Sequence, residues 1–107
     1  MPPTTKSRRE ALEGFVQANP NDAFARYGLA LECAKLGDDA ATKLHFGQLL
    51  AAHPEYVAGY FQFGQYLARV GETSEARRIL SDGIAVAASS GDFHARDEMQ
   101  GALAALA

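Results

Sequence analysis

Three histidines, His45, His53 and His94, and a single cysteine, Cys33, are the side chains of this 107-residue chain with the widest chemical reach. His45 and His53 stand eight residues apart, about 12 Å along a continuous helix, too far to share a metal ion. His94 with Asp97 or Glu98 has the i, i+3 or i+4 spacing that puts two ligands on one helical face. The same spacing arises on any polar surface helix, which is the plainer reading. Asp38-Asp39 offers carboxylates to a calcium ion, but the ligand spacing of a calcium loop is missing, and helix capping accounts for the pair. No Gly-rich phosphate loop, H-E-x-x-H motif or nucleophile elbow is present. The expectation is no catalytic residue, no metal site and no cofactor. Cys33, alone in an apolar stretch, reads as a small buried hydrophobe and excludes an intramolecular disulfide.

The balance of charge narrows the partners. Thirteen Asp and Glu against ten Lys and Arg leave a net charge of −3, without the basic excess of a nucleic-acid binder. Lys6, Arg8 and Arg9 form the one basic cluster and read as the solvated opening of a helix. No run approaches the roughly 18 apolar residues of a membrane span, and the start of the chain is polar. These features lead to an expected cytoplasmic location and to partners that are neither nucleic acid nor membrane.

The elements that position these residues are helical. Hydrophobic residues make up 48% of the chain and charged residues 21%, with Ala and Leu favoured over β-branched types. Residues 1–6 read as a loose leader. Ser7 and Glu10 have capping-box spacing, and Ala11, Leu12, Phe15 and Val16 give an apolar face to a helix over 7–19. Asn19-Pro20-Asn21-Asp22 ends it and caps a second helix reaching Leu36, and Gly37 then stops the chain. A third helix covers about 40–52. His53-Pro54-Glu55 precedes a fourth, with Pro54 in its first turn, which runs to Val70 and stops at Gly71. Thr73 or Ser74 starts a fifth, reaching about Ala88. A sixth, over about 92–106, closes a single domain spanning 1–107.

The turns recur. Pro20 returns as Pro54 and Gly37 as Gly71, each 34 residues later. In the same frame Tyr27 maps to Phe61, Leu29 to Phe63, Ala30 to Gly64, Phe46 to Leu80 and Lys35 to Arg69. A fixed period of this length covers one helix–turn–helix and indicates a helical solenoid. In Tyr60, Phe63-Gly64, Gly71, Ala76 and Leu80, and in Leu29-Ala30, Gly37, Phe46 and Pro54, the chain resembles the tetratricopeptide repeat family. Arg26 stands where that family has a large aromatic residue, Thr42 where it has a small one, and Gly83 and Ala88 where it has Ala and Pro. The resemblance implies an all-α, right-handed solenoid of antiparallel helix pairs. Two degenerate repeats, 22–54 and 55–88, are flanked by an N-terminal helix and a capping helix.

It also implies a function. In such repeats the first helix of each pair lines a concave face that grips a peptide or helix of a partner protein. The corresponding stripes are Phe24, Tyr27, Leu31 and Lys35 on the second helix, then Phe61, Gln65 and Arg69 on the fourth, with Met99 on the sixth. Tyr27 and Phe61 are open to two readings, an aromatic groove floor or plain packing between neighbouring helices. The chaperone-tail subtype is disfavoured, because Tyr27, Leu31, Phe61 and Gln65 occupy the places of its carboxylate-binding side chains. The alternative to a peptide-binding adaptor is a self-associating subunit. It would pair through Leu12, Phe15 and Val16 at one end or Leu103 and Leu106 at the other.

Overall fold

The computed structural model describes residues 7–106. Among them lie six helices and no strand: α1 (Arg8–Ala18), α2 (Ala23–Lys35), α3 (Asp39–Ala52), α4 (Val57–Arg69), α5 (Thr73–Ser90) and α6 (Phe93–Ala104). The leader expected over 1–6, with Lys6, falls outside the described residues. The helices gather into two compact units that meet in sequence at Ala52 and His53, α1–α3 in the first and α4–α6 in the second.

In the first unit α2 packs against both α1 and α3. Val16, Ala25, Leu29 and Cys33 form a buried cluster, with Leu12 and Ala41 against it. Only part of the expected α1 face is inside: Val16 is buried and Leu12 half-buried, whereas Ala11 and Phe15 are exposed. Ser7 caps α1 by accepting from the Glu10 N–H, and its hydroxyl donates to the Glu10 carboxylate, both at 3.1 Å. Arg9 then ties α1 to the α2–α3 turn, donating to Asp38 at 2.8 Å.

That turn is short because single residues serve two helices. Gly37 at φ 77° adopts the left-handed conformation that a side chain disfavours. Its N–H donates to the Ala34 carbonyl, and the Asp38 N–H to that of Cys33, closing α2. Asp38 also caps α3, its carboxylate accepting from the Ala41 N–H at 3.1 Å. The period reproduces this geometry at Gly71 (φ 85°), with Glu72 donating to Leu67. Glu72 gives α5 no side-chain cap.

In the second unit α4 and α6 both pack on α5, and α4 also touches α6. These two neighbours explain a helix apolar nearly all round: Tyr60, Phe63, Tyr66 and Leu67 are all buried. Glycines set the separation. A Cβ at Gly64 would stand 2.5 Å from Leu80 Cδ2, and one at Gly83 would stand 2.5 Å from Tyr60 Cβ and 2.6 Å from Met99 Sδ. Gly83 therefore departs from the family's Ala because Tyr60 and Met99 converge on its backbone. Pro54 is not in the first turn of α4, as expected, but three residues ahead of its start at Val57. The Tyr56 N–H donates to the His53 carbonyl, so the chain turns before the helix begins.

Candidate functional site

The stripe on α2 begins with Phe24, 76% exposed, and continues through half-buried Tyr27 and Leu31 to exposed Lys35. Spacings of three and four residues keep all four on one face. Asp22 holds the start of this helix, its carboxylate accepting from the Ala25 N–H at 2.9 Å. The other side of α2 is core, with Ala25, Leu29, Ala30 and Cys33 buried.

On α4, Phe61 is half-buried while Gln65 and Arg69 are exposed along one face. The Arg69 guanidinium lies 5.5 Å from the centroid of the Tyr66 ring, which braces it at the end of the helix. Met99 does not join these residues at a surface. It is fully buried, its sulfur against the bare backbone of Gly83, so the small residue at position 83 draws it into the core of the second unit.

Two departures from the family pattern have structural reasons. Arg26, in place of an aromatic residue, donates to Gln48 Oε1 and to the Pro20 carbonyl and reaches His45 Nδ1 at 3.4 Å, joining α2 to α3. Its counterpart one period later is Tyr60, whose hydroxyl donates to the Pro54 carbonyl at 2.7 Å. Both repeats thus fasten the preceding proline turn to the first helix through a donor six residues on, one a guanidinium and the other a phenol. Thr42 is fully buried, and its hydroxyl donates to the Asp38 carbonyl at 2.7 Å, so the larger polar residue is satisfied without a partner from another helix. The Arg26–His45–Gln48 cluster escapes sequence reasoning, although an Arg at an aromatic position is its visible signal.

The electrostatics of the first unit centre on this junction. Burial first, then the Arg26 charge, holds the His45 imidazole below its ordinary pKa. The Ala41 N–H first, then Arg9, holds Asp38 below the usual carboxylate value. Burial raises the Cys33 thiol against the opposing pull of Arg9, so Cys33 is a poor nucleophile. His94 pairs with Glu98 at 3.1 Å, and Arg96 engages Asp97 at 2.9 Å. No three His, Cys, Asp or Glu gather as a metal site among the described residues, and no described helix is long and apolar enough to cross a membrane.

Paired helices with a glycine-closed turn, repeated at 34 residues, define an all-α helical repeat protein. The comparisons with known proteins agree. The chain is 30% identical over 90 residues to a TPR repeat-containing protein of Pseudomonas aeruginosa, covering 84% of this chain and 86% of that one. The solution structure of a tetratricopeptide repeat domain protein from Salinibacter ruber superposes with a TM-score of 0.74 at 32% identity, covering 78% of this chain and 85% of that one. A Bordetella parapertussis protein solved in solution reaches a TM-score of 0.80 at 25% identity, over 95% of this chain and 89% of that one. No protein-family model matches the chain. The chain belongs to the tetratricopeptide repeat family.

Proposed function

We propose that this protein is a non-catalytic protein–protein interaction module, and that the outward face of α2 and that of α4 each contact a peptide or helix of a partner protein. Phe24 is the observation that carries the reading. A phenylalanine 76% exposed costs free energy in water, and Tyr27 and Leu31 continue its face. Phe61, Gln65 and Arg69 make the corresponding face on α4. Met99 has no part in it. A cytoplasmic site of action belongs to the same reading and suits a lone buried thiol.

The test is affinity capture from the source organism's lysate with wild type and with the Phe24→Ala, Tyr27→Ala, Phe61→Ala variant, with circular dichroism as the folding control. A protein retained by wild type and lost from the folded variant supports the reading. Equal retention by both proteins overturns it.

Self-association is the second reading, favoured by Phe15 at 49% exposure on α1. Val16 at the same end is core, so there this version rests on Phe15 and half-buried Leu12, and at the other end on half-buried Leu103 and Leu106. A monomer mass independent of concentration in light scattering, up to about 0.1 mM where weak dimers form, counts against it.

A further inference from the structure

We infer that the α2 and α4 faces each select an extended partner segment with an apolar side chain and a carboxylate four residues apart, on the same side of the segment. The inference rests on the interaction reading above and specifies its ligand.

The order of side chains is the first support. The α2 face starts with exposed Phe24 and ends with exposed Lys35, and the α4 face runs from half-buried Phe61 to exposed Arg69. Eleven residues of helix span about 16 Å and eight span about 12 Å. An extended peptide covers about 13 Å in four residues at roughly 3.3 Å each, which returns its side chain to the same face, and the long Lys35 side chain spans the remaining few ångströms on α2.

Charge is the second. The chain is acidic, yet neither stripe carries an acidic residue. Arg8, Arg9, Arg78 and Arg96 each meet a carboxylate within the chain. Lys35 and Arg69 meet none among the described residues, and Arg69 is braced only by the Tyr66 ring. Both stand in the last turn of their helix, where the dipole favours a cation. The helix end offsets part of each cation's charge, and the remainder favours a bound carboxylate over a basic side chain.

The probes are fluorescein-labelled ten-residue peptides, blocked at both ends to remove terminal charge. Each carries one Phe and, four residues before or after it, Glu, Gln or Lys, and binding to the full chain is read by fluorescence polarisation. The Glu peptides should bind about tenfold more tightly than the Lys peptides at low salt, and the gap should narrow as salt screens it. Lys35→Gln with Arg69→Gln should shrink that preference, and Lys35→Glu with Arg69→Glu should invert it. Phe24→Ser with Phe61→Ser should weaken every peptide alike. Binding that depends on Phe24 and Phe61 but ignores peptide charge overturns the acidic preference and leaves the interaction reading standing. No binding by any peptide, or binding indifferent to the Phe variants, overturns both.

Discussion

At Asp38 one carboxylate caps α3, anchors Arg9 of α1 and follows the glycine that closes α2. Its folded pKa lies below the unfolded value. The stability it confers is therefore present at neutral pH and is lost as pH falls through the carboxylate range. His45 has the same sign for a different reason. Burial and Arg26 lower its pKa, so the unfolded state takes up a proton first, and stability declines once pH drops below about 6.5. Thermal melts from pH 8 to 3 should show both limbs. His45→Gln should flatten the upper limb while leaving an acceptor for Arg26, and Asp38→Asn should flatten the lower one. A melting temperature independent of pH above 5 would remove His45 from this account.

Glycines act at the scale of the helices, and their substitutions should diverge. Gly71 has positive φ with open space around it, so Gly71→Ala should cost about 1 kcal/mol through backbone strain alone. Gly83→Ala would drive a methyl against Tyr60 Cβ, which cannot swing aside, and should cost about 1–3 kcal/mol as α4 and α6 are pushed off α5. Gly47, inside α3 with nothing near its missing side chain, offers the opposite sign. Gly47→Ala should stabilise by about 0.5–1 kcal/mol through helix propensity. Urea titrations of the three variants check the order, and a neutral Gly83→Ala would show that Tyr60 and Met99 repack freely.

For the whole molecule, the two units supply separate reporters. Buried Cys33 belongs to α2, whereas Tyr56, Tyr60 and Tyr66, three of the four tyrosines, belong to the second unit. If the chain unfolds as the single domain that its length and repeat pattern lead one to expect, thiol labelling and tyrosine fluorescence should give the same urea midpoint. Separate midpoints would mean that the units melt independently on either side of His53.

Much of this architecture is determined by the amino-acid sequence alone. The 34-residue recurrence of Pro and Gly sets four of the five turns between the six helices, and Gly91 sets the fifth, because φ constraints and capping act within a few residues and need no distant partner. The break at His53-Pro54-Glu55 is legible, but Pro54 lies before α4 and not in its first turn, since a proline tolerated in a first turn is equally at home before it. Tertiary structure decided what lies inside. Phe15 and Phe24 are as apolar as Phe46, yet only Phe46 is enclosed by its neighbours. The α6 pattern alone is compatible with Met99 at the surface, and only the approach of α6 to Gly83 buries it. Arg26 met His45 and Gln48 for the same reason: contacts 19 and 22 residues apart exist only once α2 and α3 lie side by side. Local periodicity prescribes which helices form, and the distance between packed backbones selects which of their side chains remain free to meet a partner.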